Sequence, residues 1–137
     1  MSDIEESYRR IERLWTGQEW DEWSRTAAPQ YRFDPGTGDP RDLAGTLRWS
    51  TGIFAAFPDY SQDLEHVVVT GATAVGVAVC RGTHTGTLDL DLGFVLGATG
   101  RGFELPYVKV LDFDADGLVV RDRQYLDATS LLDQIAG

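Results

Sequence analysis

The segment that most constrains the fold is 103–127, which has the pattern of a β-hairpin with polar side chains on its core face. In the first arm, FELPYVKVLDFD, the odd-numbered positions are apolar or aromatic apart from Lys109. Because side chains of a strand alternate between faces, these positions are predicted to face the core. In the second arm, LVVRDRQYLD, the same alternation turns Asp122 and Gln124 inward.

The turn at 114–117 decides how these polar residues meet. A two-residue loop would put Lys109 directly opposite Asp122, and Tyr107 opposite Gln124. A three-residue loop with a glycine bulge would put the two charged groups on different faces. The apolar pattern favours the two-residue loop. Because buried charges are costly unless they are paired, the polar row indicates an internal ion pair or the lining of a cavity, and we favour the cavity.

Composition excludes several classes of protein. The 137 residues predict a single domain (1–137), and the net charge of −10 without a basic patch argues against a nucleic acid partner. The single cysteine, Cys80, fits a reducing cytoplasm. The opening MSDIEESYRR lacks the apolar region of a signal peptide, and the longest aliphatic run, 67–69, is too short to cross a membrane. We therefore expect a cytoplasmic protein with no membrane partner.

The order of predicted elements indicates the fold class. Helices are predicted first and strands later, with a glycine-rich stretch, 88–102, that reads as an interrupted strand or a lid. Four helices are predicted, at 4–17, 19–26 and 40–57 and in a short segment after Asp127 or Thr129. Ser2 or Asp3 is the expected N-cap of the first helix, and Pro29 is expected to end the second. The other predicted strands are 31–34, 64–70 and 73–85. This order predicts an α+β fold, with three N-terminal helices packed on one curved antiparallel sheet and enclosing a pocket.

Several stretches, in this order and spacing, resemble the SnoaL-like polyketide cyclases over nearly the whole chain. They are Leu14-Trp15-Thr16-Gly17, Phe57-Pro58-Asp59, Gly82-Thr83-His84-Thr85-Gly86, Thr99-Gly100-Arg101, and Asp116-Gly117 followed by Tyr125-Leu126-Asp127. The resemblance implies the cone-shaped α+β superfamily that also holds ketosteroid isomerase, scytalone dehydratase, limonene epoxide hydrolase and nuclear transport factor-like proteins. It implies an enzyme without a cofactor and a homodimer formed through the exposed sheet face.

The resemblance also suggests roles for single residues. Asp34, before Pro35, resembles the general base of ketosteroid isomerases, and Lys109 falls where those enzymes place an oxyanion-hole Asp. Gln124 stands where the cyclases have their catalytic Asp, and Asp122 lies two residues earlier on the same face. An Asp before Pro and Gly is also common in turns, so Asp34 has a second, structural interpretation.

The leading hypothesis is proton abstraction from a small hydrophobic, carbonyl-bearing metabolite, followed by cyclisation, isomerisation or dehydration. Asp34 or Asp122 would take the proton, and Lys109, helped by Gln124 or Tyr107, would hold the oxyanion. The aromatic residues predicted to bind the substrate, or else only to build core, are Trp15, Tyr31, Trp49, Phe54 and Tyr107.

Two other functions remain open. The first is a non-catalytic domain that binds a hydrophobic metabolite or pairs with itself. The second is an epoxide hydrolase, which requires Asp34, Asp122 and Arg10 to converge on one water molecule. No metal is expected, because the two histidines and one cysteine lack ligand spacing, and His84 is expected to be structural or at the mouth of the pocket.

Overall fold

The computed structural model describes residues 3–137, which form four helices and seven strands. The helices are α1 (Asp3–Thr16), α2 (Trp20–Ser24), α3 (Leu43–Ala56) and α4 (Ala128–Ala136); the strands are β1 (Ala27–Asp34), β2 (Ser61–Thr70), β3 (Thr73–Thr83), β4 (Leu88–Asp89), β5 (Val95–Leu96), β6 (Gly102–Phe113) and β7 (Val119–Tyr125). The predicted α+β fold is confirmed. The proposed N-cap Ser2 lies outside the described residues.

The main sheet has the strand order β1-β7-β6-β3-β2, and β4 pairs with β5 in a separate two-stranded sheet. All neighbours in the main sheet are antiparallel except β1 and β7, which run parallel, so the sheet is mixed and is not closed into a barrel. As an edge strand, β1 tolerates Pro29, which lacks the N–H that an inner strand would use. Pro29 therefore lies within a strand that begins earlier than predicted, and it does not end the helix.

The third helix begins later than predicted. Residue Asp42 is its N-cap, and the Asp42 carboxylate accepts a hydrogen bond from the Gly45 amide at 2.8 Å. The preceding Arg41 is held by backbone hydrogen bonds to Phe33 in both directions, at 2.7 and 2.8 Å. The bridge to Phe33 keeps this segment extended, so Pro40 cannot open the helix.

The register of the β6–β7 hairpin differs from the predicted one. Lys109 lies opposite Gln124, and Leu111 lies opposite Asp122. The cause is a longer loop: the Asp114 carboxylate accepts hydrogen bonds from the backbone N–H groups of residues 116 and 118, each at 2.9 Å, and the register also shifts beside residue 113. The predicted pairing of Lys109 directly opposite Asp122 is wrong. Because the shift at Lys109 amounts to two residues, both groups still face the core.

The small residues on the inner face of β3 let α1 approach the sheet closely. Tyr8 of α1 is fully buried, and its hydroxyl occupies the space that a side chain at Gly76 would need. The sequence had left open whether this space serves a helix or a ligand. At Gly76 the space is occupied by Tyr8 of helix α1.

Replacing Gly76 with alanine is expected to destabilise the fold by about 1–3 kcal/mol, because the buried Tyr8 ring would have to move. Chemical denaturation measures the change in the free energy of unfolding. Gly97→Ala is the matched control, since among the described residues no heavy atom beyond its chain neighbours lies within 4 Å of a Cβ at Gly97. Equal stability changes for the two variants would contradict the close approach of Tyr8.

Candidate functional site

The buried cation Lys109 forms its ion pair with Glu12 of α1. The distance from Lys109 Nζ to Glu12 Oε1 is 2.5 Å, and the two side chains are 3% and 7% exposed. The Tyr107 hydroxyl lies 3.3 and 3.4 Å from the two carboxylate oxygens of Glu12, and Gln62 donates a hydrogen bond to Oε2. The Glu12 carboxylate therefore has hydrogen-bonding partners on three sides.

Sequence reasoning missed Glu12 because it lies in a strongly charged helix. A signal was nevertheless present: Glu12 comes four residues after Tyr8 and three before Trp15, so it lies on the same buried face of α1. A carboxylate on the apolar face of a helix, in a fold with an inward-facing lysine, indicates a buried ion pair.

Opposing effects set the protonation of Lys109. Burial lowers the pKa of Lys109, but the nearby carboxylates of Glu12 and Asp122 outweigh burial and raise this pKa above its ordinary value. Lys109 is thus a fixed ammonium, and its Nζ lies 5.8 Å from the centre of the Trp15 ring.

Asp122 on β7 is the second buried carboxylate. It is 4% exposed, and its Oδ2 accepts a hydrogen bond from the Tyr31 hydroxyl at 3.0 Å. Within residues 3–137, its Oδ1 has no hydrogen-bond partner. Burial raises the pKa of Asp122, although Lys109, Tyr31 and Gln124 oppose that rise. Asp122 is therefore oriented through Oδ2, and its Oδ1 is enclosed without a hydrogen bond from the described residues.

A cavity of about 70 Å³ lies beside these groups and is predominantly apolar. Its lining consists of Trp15, Pro35, Trp49, Ile53, Phe57, Tyr60, Cys80, Phe103, Leu105, Tyr107, Gln124, Leu126 and Leu131. Because this volume is far below the roughly 300–1,000 Å³ of a pocket for a drug-sized ligand, a larger molecule would have to displace side chains.

The structure separates the predicted site residues into two layers. Four of them line the cavity: Trp15, Trp49, Tyr107 and Gln124. The others lie outside the lining: Lys109 and Asp122 in the buried polar network, Tyr31 on the Asp122 carboxylate, and Phe54 against the Trp15 ring at 5.1 Å between ring centres.

Asp34 is the predicted site residue whose carboxylate forms no hydrogen bond with the buried network within residues 3–137. Its Oδ1 accepts a hydrogen bond from the Gly36 amide at 2.8 Å in an exposed turn. This is the turn geometry that the sequence offered as the alternative. Arg10 is also remote, since it pairs with Glu22 at 2.8 Å on the surface. Asp34, Arg10 and the buried Asp122 therefore do not converge as an epoxide hydrolase would require.

His84, the remaining candidate residue, makes structural contacts. His84 is fully buried, its Nδ1 lies 3.1 Å from the Thr99 hydroxyl, and its ring packs on Phe57.

Within residues 3–137, no three His, Cys, Asp or Glu side chains are grouped to hold a metal ion. Across the same residues, no helix is long and apolar enough to span a membrane.

The fold and the site together define the class: a small α+β domain whose curved sheet and helices surround an apolar cavity backed by buried charges. The family model described as SnoaL-like polyketide cyclase matches residues 5–135. The chain therefore belongs to the SnoaL-like polyketide cyclase family.

Solved structures show the same fold. A candidate SnoaL-like polyketide cyclase from Jannaschia sp. CCS1 is 22% identical, with a TM-score of 0.82 and coverage of 100% of this chain and 96% of that one. IdmH, a candidate polyketide cyclase from Streptomyces antibioticus, is 25% identical, with a TM-score of 0.79 and coverage of 97% and 98%. AclR, a candidate hydroxylase from Streptomyces galilaeus, is 18% identical, with a TM-score of 0.80 and coverage of 96% and 80%. No curated protein matches the chain.

Proposed function

We propose that the protein is a cofactor-independent enzyme that removes a proton from a small, mostly apolar, carbonyl-bearing molecule. The observation that carries this proposal is the buried Asp122 carboxylate, one oxygen of which has no partner among the described residues. Asp122 lies on the same strand face as Gln124, a residue of the cavity lining. A raised pKa brings a carboxylate closer to the working pH of a general base.

In the proposed reaction, Asp122 Oδ1 takes a proton from the carbon next to the carbonyl group, and the electron pair moves to the carbonyl oxygen. The proton then returns at another carbon in an isomerisation. In a cyclisation the enolate carbon attacks a second carbonyl carbon, whose oxygen takes the electron pair of the broken π bond and then the proton from Asp122. In a dehydration the enolate expels a hydroxyl group that leaves with the proton as water. Because Asp122 lies behind the lining, substrate entry has to expand the cavity towards β7.

Two groups of the lining are suited to hold the oxyanion: the Gln124 amide, and the Tyr107 hydroxyl, which has to turn its one O–H from Glu12 to the substrate. Burial raises the pKa of Tyr107 well above its ordinary value, as do the negative charges of Glu12 and Asp122, so the phenol keeps its proton and remains a donor. Lys109 stabilises the developing charge through its field from behind the lining, since its ammonium is already paired with Glu12.

Proton exchange in a simple ketone tests this proposal without the natural substrate. Incubation of the protein with 1-tetralone or acetophenone in D₂O should accelerate the exchange of the protons next to the carbonyl group, followed as the loss of their proton NMR signal. Exchange no faster than in buffer for either ketone, although both bind, would contradict proton abstraction.

The second candidate function is non-catalytic binding of a hydrophobic metabolite. It is favoured by the largely apolar lining and by the pairing of Lys109 with Glu12, which holds the cation away from the cavity. The same NMR experiment separates the two functions: a carrier would broaden the ketone signals without exchanging their protons.

The proposed homodimer has an apolar face available on β3 and β6. Val75, Val77 and Val79 lie opposite Val110, Val108 and Pro106 on the side of the sheet that faces away from Tyr8. We expect the mass measured by light scattering to be that of a dimer. Val108→Lys, at the centre of this face, should give the monomer mass because it would bury two charges at the interface. An unchanged mass would exclude this face.

A further inference from the structure

Three arginines surround one surface groove of about 400 Å³ between β1 and the N-terminal half of α3. Arg32 comes from β1, Arg41 from the segment before α3, and Arg48 from α3 itself. Gly45 also lines the groove, and a Cβ at this position would lie 3.1 Å from the Arg41 Cβ and 3.3 Å from the Asp42 Oδ1. This clustering occurs in a chain whose net charge is −10.

None of the three guanidinium groups forms an ion pair within residues 3–137. Arg32 donates to the carbonyl oxygen of Tyr31 at 2.7 Å, and Arg41 donates to the carbonyl oxygen of Leu90 at 3.3 Å. The Nε of Arg41 is buried without a hydrogen-bond partner. Arg48 has no hydrogen bond or ion pair with any described residue.

Two carboxylates border the same groove, so the arginines outnumber the acidic groups of its lining by one. Asp42 is already engaged, because its carboxylate caps α3 through the Gly45 amide. Asp39 makes no ion pair within the described residues. With three arginines and two carboxylates in its lining, the groove keeps a net positive charge, and this charge would attract an anion to the space between the arginines.

We propose that this groove binds an oxyanion group, a phosphate or carboxylate, of a small-molecule ligand. The planar fork of a guanidinium matches both groups, because it donates two parallel hydrogen bonds to their oxygens. Arg41 places the site next to the cavity, since its guanidinium lies 5.0 Å from the centre of the Trp49 ring and Trp49 lines the cavity. The inference does not depend on the proposed proton abstraction.

Calorimetric titration of the full chain at low ionic strength tests the site, with sodium phosphate and sodium acetate as separate probes. Saturable binding is expected, and added sodium chloride should weaken it by screening. Arg48→Gln should weaken binding by about tenfold, because it removes one charge-assisted contact. Asp39→Asn should strengthen binding, since it removes a negative charge from the rim.

Arg13→Gln on α1 is the matched control, because it makes the same change of charge at a position outside the groove. It should leave the affinity unchanged. Tighter binding of phosphate than of acetate would assign a phosphate-bearing ligand, and the reverse would assign a carboxylate. The proposal is overturned if neither anion binds saturably, or if Arg13→Gln weakens binding as much as Arg48→Gln does.

Discussion

Replacing Lys109 with methionine is expected to lower the free energy of unfolding by about 3–5 kcal/mol, because it leaves the Glu12 carboxylate buried without its cation. The 2.5 Å contact between Lys109 Nζ and Glu12 Oε1 has almost no access to solvent, so the carboxylate loses its cation without gaining full hydration. Urea denaturation of the wild type and the variant measures the difference.

The double variant Lys109→Met with Glu12→Gln should recover much of this loss, since the uncompensated charge is removed. Arg10→Met is the surface control: its pair with Glu22 is about half exposed on both sides, and its loss should cost about 0–1 kcal/mol. A small cost for Lys109→Met, similar to that for Arg10→Met, would show that water reaches Glu12.

The contribution of the Lys109–Glu12 pair to the free energy of unfolding depends on pH in a defined direction. Because the folded-state pKa of Lys109 lies above its ordinary value of 10.5, the folded chain holds this proton more tightly than the unfolded chain does. The stability that the ammonium contributes is therefore complete below pH 10.5 and is lost as the pH rises above it. The difference between wild type and Lys109→Met should shrink at strongly alkaline pH.

Asp122→Asn is expected to lower the rate of ketone proton exchange by about 10²–10⁴-fold, the usual contribution of a positioned general base. An amide of the same shape can still accept the hydrogen bond from Tyr31, so the site should keep its geometry. Asp34→Asn is the matched control, because Asp34 serves an exposed turn. Equal losses in the two variants, or no loss in Asp122→Asn, would remove Asp122 from the reaction.

Stability measurements show whether a lower exchange rate in Asp122→Asn comes from the loss of the base or from misfolding. Because burial raises the pKa of Asp122, the folded chain favours the protonated carboxyl group, whose contribution to stability is present at low pH and lost as the pH rises through that pKa. Asp122→Asn, which carries no charge to bury, should thus be at least as stable as the wild type. Its advantage should grow with pH above about 4, the ordinary value for a carboxyl group.

The predicted polar face illustrates how far local patterns reach. Alternation alone placed Lys109, Asp122 and Gln124 on the inner face of the hairpin, and the structure confirms that placement for all three. Alternation does not specify a cross-strand partner, because that depends on the loop. Hydrogen bonds to the Asp114 carboxylate lengthened the loop and moved Asp122 opposite Leu111.

The candidate site also depends on contacts far apart in the chain. Glu12 and Lys109 are 97 positions apart, and Tyr31 and Asp122 are 91 positions apart, so no local pattern relates the members of either pair. A helix docked on a sheet, and an edge strand laid beside β7, brought them together. Asp34 shows the opposite case, since its neighbours Pro35 and Gly36 already indicated the turn in which it lies.

The amino-acid sequence by itself determined the α+β class, the family, the order of the elements and the inward direction of the polar row, because these follow from residue periodicity and short motifs. Only the tertiary structure decided which carboxylate neutralises Lys109, which oxygen of Asp122 is left free, and how small the cavity is. The physical reason is that pairing, burial and volume are set by the close packing of segments distant in the chain, and side chains obtain those neighbours only when the chain has folded.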